Sequence, residues 1–376
     1  MAHNMGTINH NSVLTSGQYK DLSLDNTNSD LALQLYNFMV RLRRCEEALA
    51  AEYHPADEMR CPVHFCIGQE AAPAALSALL HHDDYLFSHH RSHGYYLAKS
   101  APMAEMFAEI YGKNTGANGG KAGSQDISYP SEQFYSGAIL AGAVAIAVGA
   151  GLGLQLRQLP QVAVAGFGES ATDEGIFWES VNYAGLRKLP VVFVCENNKY
   201  SVFSPQSKRQ AGDSLCQRVA TFGVKSSTIF GNDVQKVHQS LSTAIADARN
   251  GDGPSFIELV TYRWSAHYGP DSDDSVGYRP AEEIANWKSN CPILLLESAL
   301  LNTGTLTARL KLDIEARADS EIASAFQFAK TSKPPNLSSW HAMNFSEHSP
   351  MADKFLVDVD WGEFDANQDS ILQKGY

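Results

Sequence analysis

Two apolar runs, and the polar residues that follow them, decide the fold of this 376-residue chain. The first run is Gln161-Val-Ala-Val-Ala-Gly166, and Gly168-Glu-Ser170 comes one phenylalanine later. The second run is Val191-Val-Phe-Val-Cys195, and it leads to Asn197-Asn198. Between the two runs, Ala171 to Leu186 has the pattern of a helix. A strand, a helix and a second strand in this order predict parallel strands whose carboxyl ends share one edge of a sheet.

The polar ends of the two runs predict a ligand as well as a fold. Glu169 supplies a carboxylate at the end of one strand, and Asn198 supplies an amide at the end of the next. Open α/β sheets bind their ligands at this edge. A carboxylate, an amide and nearby carbonyl oxygens suit Mg²⁺ held together with phosphate oxygens. Two plainer interpretations stay open: Glu169 as an acid that caps a helix, and the asparagine pair as an Asx turn.

Alternating strands and helices continue along the chain and predict the fold class. Further strands are expected at Val224–Ile229 and Ser255–Tyr262, with a helix at Asp233–Arg249 between them. Three more stretches have helical spacing: Leu31–Glu52, Pro280–Leu301 and Thr307–Ala329. The predicted fold is therefore α/β, a parallel sheet with helices on both faces and with flanking N- and C-terminal helices.

The composition along the chain predicts three regions. Residues 1–30 are rich in Asn, Ser, Thr and His and are expected to form a flexible tail. Residues 31–301 are expected to form the α/β domain, and residues 302–376 a helical C-terminal region and tail. Gly119 to Tyr135 is expected to be a loop.

The overall charge and the cysteines exclude several classes of protein. A net charge of −13 disfavours nucleic acid or an anionic membrane surface as the main partner. The six cysteines form no Cys-x-x-Cys pair and fit neither a zinc site nor a disulfide framework: Cys45, Cys61, Cys66, Cys195, Cys216 and Cys291. No secretion signal opens the chain. We therefore expect reduced thiols and a cytoplasmic location.

One uncharged stretch, Gly137 to Leu156, is long enough to cross a bilayer. It consists mostly of Gly and Ala with few large apolar side chains. We expect instead a buried helix that packs closely through Gly149 and Gly153, at a subunit interface or on the floor of a cofactor cleft.

The quoted runs resemble a known motif, the thiamine-diphosphate motif, in which Gly-Asp-Gly is followed farther along by Asn-Asn. More closely, Gly168–Gly175 and Lys188–Asn198 resemble the alpha subunit of the decarboxylating first component of 2-oxo acid dehydrogenases, namely the pyruvate, branched-chain and acetoin complexes. The resemblance runs from about Leu33 to Ile293. Further matching blocks follow in the family's order: Gly68-Gln-Glu-Ala71, His90-Arg-Ser-His-Gly94, Gly119-Gly-Lys-Ala-Gly-Ser124, Tyr262-Arg-Trp-Ser-Ala-His267 and Tyr278-Arg279.

The resemblance implies two cofactors, thiamine diphosphate and Mg²⁺, and a role for each matching residue. The metal ligands would be Glu169, Asn198 and the backbone carbonyl of Tyr200. The diphosphate would be bound through Arg91 and His267, and His267 and His64 would lie beside the reacting groups. The remaining cofactor contacts would come from His90, Ile139, Ala141, Ser170 and Ala171, of which Ile139 and Ala141 would line the aminopyrimidine.

Four positions depart from the family's pattern. Glu169 stands for Asp, and Ser170 stands for a Gly that would let the backbone approach a phosphate. Asp126 stands where the family usually has His, and the position of His90 is often an aromatic residue in the family. The departures at Glu169, Ser170 and Asp126 keep open whether the cofactor site is tuned or weakened.

The resemblance also implies a partner. The glutamate that activates the aminopyrimidine comes from a beta-type subunit in the heteromeric members, so this chain should be inactive alone. The expected function is decarboxylation of a 2-oxo acid with transfer of the acyl group to a lipoyl group, and a lipoyl-bearing acyltransferase is a further expected partner. Two alternatives remain: a carboligase or acyl-transfer enzyme of a specialised biosynthetic pathway, and a scaffold subunit without catalysis.

Overall fold

The computed structural model describes residues 22, 24, 28–56, 58–59, 61–212 and 214–336. The chain divides into two compact units, residues 1–334 and 335–376, and only Pro335 and Asn336 of the second unit are described. Most of the expected N-terminal tail and the end of the expected C-terminal region lie outside the described residues. The proposed domain boundaries therefore stay predictions.

A six-stranded sheet forms the centre of the first unit. The strands are β1 (Tyr85–Ser88), β2 (Phe134–Ser136), β3 (Ala163–Gly168), β4 (Val191–Asn197), β7 (Lys225–Phe230) and β8 (Ser255–Val260), with a small hairpin of β5 (Tyr200–Ser201) and β6 (Ser204–Pro205) outside it. The order is β2-β1-β3-β4-β8-β7, and all neighbouring pairs are parallel. Gly168 pairs with Glu196, which brings the ends of β3 and β4 to the same edge.

Helices cover both faces of the sheet, as predicted. Alternate residues of β3 enter different cores: Val164 packs in one apolar cluster, whereas Ala163 and Ala165 pack in the other. The helices are α1 (Ser29–Ala56), α2 (Ala71–Leu79), α3 (His93–Ala98), α4 (Met103–Ile110), α5 (Gly142–Leu156), α6 (Gly175–Arg187), α7 (Leu215–Ala220), α8 (Val234–Arg249), α9 (Ala281–Ser289), α10 (Pro292–Asn302) and α11 (Ala308–Thr331). The parallel α/β fold class is confirmed.

Several element boundaries differ from the prediction for local reasons. β3 extends to Gly168 because Gly166 and Phe167 stay paired with β4. The helix predicted to begin at Ala171 begins later: Glu169–Asp173 form a 3₁₀ turn, and α6 begins at Gly175. The stretch Pro280–Leu301 forms two helices, because Pro292 occupies the first turn of α10 and starts a new helix there. The predicted loop from Gly119 to Tyr135 also includes a 3₁₀ turn and the start of β2.

The uncharged stretch Gly137–Leu156 is a helix only from Gly142, and within this chain one face of the helix is buried and the other is exposed. Ile146 and Leu156 are 61% and 75% exposed. Gly149 and Gly153 have open space around them, whereas a methyl group at Gly151 would meet Val191 at 2.5 Å. The glycine that packs on the sheet is therefore Gly151, and the expected pair faces outward. Over the described part of the chain, no helix combines the length and apolar character needed to span a membrane.

Candidate active site

A cavity of about 230 Å³ opens at the carboxyl ends of β1, β3 and β4, and most of the predicted site residues line it. These are His64, His90, Arg91, Glu169, Ser170, Asn198, Tyr200 and His267. They come from five separate segments of the chain. The remaining three, Ile139, Ala141 and Ala171, line a smaller adjoining cleft together with His90 and Ser170. The fold thus brings together residues that the sequence separates by up to two hundred positions.

Glu169 starts the 3₁₀ turn that follows β3 and is almost completely buried. Burial raises the pKa of its carboxyl to about 7, although the Arg209 guanidinium opposes that rise. Arg209 donates hydrogen bonds to both Glu169 and Asp173. A basic side chain therefore already neutralises the carboxylate that the sequence assigns to Mg²⁺. Arg209 must turn away, or share Glu169, when a metal ion binds there.

Asn198 combines both interpretations that the sequence left open. Its side-chain oxygen accepts a hydrogen bond from the backbone N–H of Tyr200 at 3.1 Å, which is an Asx turn. The same side chain lines the cavity. An amide oxygen has a second lone pair, so the turn holds the oxygen in place and leaves it able to bind a metal ion. The Tyr200 hydroxyl points elsewhere and donates to Glu283 at 2.9 Å.

Arg91 is a buried cation without an acidic partner. Its guanidinium donates to the carbonyl oxygens of Phe65 at 2.6 Å and His267 at 2.9 Å. Among the described residues, none of the ion pairs within 4 Å includes Arg91. Burial, assisted by Arg263, lowers its pKa to about 9. A buried guanidinium that faces a cavity and lacks a carboxylate fits a phosphate anion.

Three imidazole rings converge beside Arg91. The ring centroids of His64 lie 4.7 Å from those of His90 and 4.9 Å from those of His267. Burial is the main cause that lowers the pKa of His64 to about 2 and that of His267 to about 4, and it also places the pKa of His90 well below its usual value. All three rings are therefore neutral near pH 7, and each can donate one hydrogen bond and accept another.

The loop that carries His267 is anchored by a buried ion network. Asp273 accepts hydrogen bonds from Arg263, Arg279 and the Tyr278 hydroxyl. Arg263 also donates to the carbonyl oxygen of Val202 at 2.7 Å, which ties the loop to the β5–β6 hairpin. Tyr278 and Arg279, which match the family that the sequence resembles, thus fix the end of the loop.

The structure adds information on three further positions near the cavity. Asp126 is exposed and accepts from the backbone N–H of Ala138 at 2.9 Å, so it lies outside the cavity lining. Arg209 gave no signal, because its spacing from Glu169 matches no motif. Glu196 is buried and accepts from the Tyr95 hydroxyl at 2.6 Å and from His89 at 3.3 Å. Its position beside the asparagine pair was the one available hint.

Comparison with known proteins agrees with this geometry. Residues 37–338 match the family model of the dehydrogenase E1 component. The chain is 34% identical to the alpha subunit of acetoin:2,6-dichlorophenolindophenol oxidoreductase from Bacillus subtilis, over 81% of this chain and 90% of the relative. It is 31% identical to the pyruvate dehydrogenase E1 alpha subunit of Porphyra purpurea, over 84% of this chain and 93% of the relative. The corresponding somatic mitochondrial subunit of Sus scrofa is 32% identical, over 81% and 77%.

Both the site and the relatives point to the same type of subunit. The matched residues cover the sheet, the cavity and the loop of His267. The curated relatives named above are alpha subunits. The chain therefore belongs to the dehydrogenase E1 component family, as an alpha subunit of a thiamine-diphosphate-dependent 2-oxo acid dehydrogenase that works with a beta subunit.

Proposed function

We propose that this chain holds the diphosphate half of thiamine diphosphate through Mg²⁺, and that the assembled enzyme decarboxylates a 2-oxo acid and passes the acyl group to a lipoyl group. Glu169, Asn198 and the carbonyl oxygen of Tyr200 would bind the metal ion. Arg91 and His267 would bind phosphate oxygens. A lipoyl-bearing acyltransferase would be the partner that accepts the acyl group.

The observation that carries the proposal is the pairing of opposite charges across one cavity. Among the described residues, Arg91 is a buried cation with no ion pair within 4 Å, and Glu169 is a buried acid at the end of the neighbouring strand, where Arg209 now contacts it. A metal-bound diphosphate satisfies both, because the metal ion pairs with the carboxylate and the phosphate oxygens pair with the guanidinium. The oxygen-rich set of Glu169, Asn198 and a carbonyl is the type that Mg²⁺ prefers.

The cofactor would supply the electron sink for decarboxylation, and the protein would supply binding, orientation and the exclusion of water. His64 and His267 face the same cavity as neutral imidazoles, so each can hold a proton on one ring nitrogen and accept one on the other. The anchored loop of His267 would cover the reacting groups. The glutamate beside the aminopyrimidine would come from the beta subunit.

Calorimetric titration of two Glu169 variants tests the metal assignment. Glu169→Gln removes the charge and keeps the shape, and it should weaken binding of thiamine diphosphate with Mg²⁺ by at least about tenfold. Glu169→Asp restores the family's residue and should keep most of the affinity. Equal cofactor affinity in the wild type and the Gln variant would show that Glu169 serves only to cap the turn. Thermal melting of both variants controls for misfolding.

A second candidate keeps the cofactor and changes the acceptor. Asp126 is exposed and lies outside the cavity lining at a position where the family usually has His. That difference favours an acceptor other than a lipoyl group, as in a carboligase. Formation of a carbon–carbon coupled product without any lipoyl-bearing protein would support this candidate over the first.

We also propose a cytoplasmic location. The six thiols are all unpaired, as expected in a reducing compartment. Fractionation of cells that express the tagged chain tests this proposal.

A further inference from the structure

The three histidine rings of the cavity have the arrangement of a transition-metal site. The centroids of His90 and His267 lie 5.4 Å apart, and His64 closes the triangle at 4.7 and 4.9 Å. One ligand nitrogen from each of His64, His90 and His267 lies within 4.8 Å of the other two. Zinc sites with three histidines bind the ion at about 2.0–2.1 Å and leave a fourth position open. To bind all three nitrogens, a metal ion would have to bring the rings to that distance.

We propose that His64, His90 and His267 form a binding site for a borderline transition-metal ion such as Zn²⁺, and that this ion and the diphosphate exclude one another. The exclusion rests on the proposed function, because His90 and His267 would serve both ligands. The metal site itself stands on the geometry of the three rings alone.

The ligand chemistry separates this site from the one assigned to Mg²⁺. Imidazole nitrogens suit Zn²⁺, Cu²⁺ and Ni²⁺, whereas the oxygens of Glu169, Asn198 and the Tyr200 carbonyl suit Mg²⁺. His90 supplies the third nitrogen, at a position where the family that the sequence resembles often has an aromatic residue. The nitrogen triad is therefore a feature of this chain and does not follow from the resemblance.

The surroundings of the rings leave their nitrogens available. Within the described ranges, no protein hydrogen bond engages the ring nitrogens of His90 or His267, and Gln125 contacts the Nδ1 of His64 at 3.3 Å. If the Gln125 amide turns its oxygen toward this nitrogen, the Nδ1–H donates to it and the Nε2 is free for a metal ion. Burial keeps the three rings unprotonated, as a metal ligand must be.

The positive charge of Arg91 repels a metal ion that enters the cavity. Its guanidinium is directed at the carbonyl oxygens of Phe65 and His267. The repulsion lowers the affinity for Zn²⁺ without removing a ligand.

Titration of the full chain with Zn²⁺ alone, without cofactor, tests the site. We expect one tight site, and Co²⁺ in place of Zn²⁺ should give the visible absorption of a four-coordinate ion. His64→Phe and His90→Phe should each weaken Zn²⁺ binding by at least about a hundredfold, since even outer partners of a ligand change affinity by 10–100-fold. The matched control is His81→Gln, which removes a ligand from the other potential metal group, His81 with Asp83 and Asp84, and should leave the affinity unchanged.

Three results would overturn the proposal. One is equal Zn²⁺ affinity in the wild type and in both Phe variants, and another is a comparable loss in His81→Gln. The third is a wild-type crystal soaked in Zn²⁺ whose anomalous density lies away from the three rings. This measurement decides the matter even if a Phe variant fails to fold.

A separate measurement tests whether Zn²⁺ and the diphosphate exclude one another. In a chain saturated with thiamine diphosphate and Mg²⁺, as shown by the heat of that binding, the apparent Zn²⁺ affinity should fall in proportion to the free cofactor concentration. Unchanged Zn²⁺ affinity in the loaded chain would overturn the exclusion. A chain that binds Zn²⁺ at the three rings and binds no thiamine diphosphate would overturn the proposed function and support the metal site.

Discussion

The cavity edge of the sheet and the outer face of α5 differ in how far this chain alone provides partners for their side chains. At the edge, the acid Glu169 has Arg209 as its partner, and the polar groups converge on one cavity. On α5, Ile146, Gly149, Gly153 and Leu156 follow one another at helical spacing and point outward. Within the part of the chain that the structure describes, Ile146 and Leu156 remain mostly exposed.

This difference indicates which kind of partner, a small ligand or another protein chain, suits each region. A small ligand with its metal ion can complete a polar cavity, because the groups that it must satisfy are few and charged. An apolar face can be completed only by another protein surface that removes it from water. Further apolar side chains are exposed on the neighbouring helix α6, among them Ile176 and Leu186. We therefore expect a ligand to complete the cavity and a partner chain to cover the outer face of α5.

The largest expected effect is the loss of all turnover in the isolated chain. We expect the purified chain to bind thiamine diphosphate with Mg²⁺ and to show no decarboxylation of 2-oxo acids until a beta-type subunit is added. The reason is that, in our proposal, the activating glutamate comes from the partner. Light scattering of the mixture should then show two alpha and two beta chains, a closed symmetric assembly. Full turnover by the purified chain would show that catalysis needs no partner chain, which would contradict this prediction.

A charge placed on the α5 face should sharpen the comparison. Ile146→Glu should weaken assembly with the beta-type subunit by more than tenfold, because a carboxylate buried without a partner costs several kcal/mol. The matched control is Leu312→Glu on α11, since Leu312 is 65% exposed and Ile146 is 61% exposed. Analytical ultracentrifugation measures both. If the two variants assemble equally well, the α5 face is not the interface.

Removal of Arg209 should change the cavity edge in a pH-dependent way. Arg209→Gln leaves Glu169 free for a metal ion, so Mg²⁺ affinity in the presence of the cofactor should rise several-fold at pH 9. The arginine also lowers the pKa of Glu169, which is about 7 in its presence. Without it that pKa rises, so more of the carboxyl is protonated at pH 7 and the gain should shrink there. Titration calorimetry at both pH values measures the effect, and an equal gain at pH 7 and pH 9 would contradict it.

The sequence predicts the strand ends correctly because one simple rule acts there. Parallel strands deliver their last residues to one edge, so the sequence alone predicts that Glu169 and Asn198 lie together. The long-range partner Arg209 could not be found in this way. Nothing in its neighbourhood, Ser207-Lys-Arg-Gln210, distinguishes a residue that reaches back to Glu169 from a solvated basic turn.

The α5 helix shows a second limit. A run of Gly and Ala without charge predicts a helix, yet it does not say which face meets the sheet. Close packing is expected through Gly149 and Gly153, yet within this chain it is Gly151 that packs on the sheet, opposite Val191 of β4, and the expected pair lies on the exposed face. The rotation of a helix about its axis depends on the neighbours that it meets in three dimensions. A nearly uniform apolar sequence carries little information about that rotation.

The smallest expected effect concerns the loop of His267, and it tests whether the cavity edge orders on binding. Ordering a loop costs roughly 1–2 kcal/mol per residue in backbone entropy, so several contacts must form together. The network around Asp273 anchors the far end of the Trp264–Gly277 segment, and a diphosphate would add contacts at His267. Cleavage within Ser265–Gly277 in limited proteolysis should therefore fall several-fold when thiamine diphosphate and Mg²⁺ are added.

In His267→Ala, which keeps the carbonyl that Arg91 contacts, the protection should be much smaller. The control is Tyr268→Ala, since Tyr268 is 61% exposed in the same loop and should leave the protection intact. Equal protection in the wild type and His267→Ala would mean that the imidazole does not couple the loop to the cofactor, and the edge would then be as rigid without its ligand as with it.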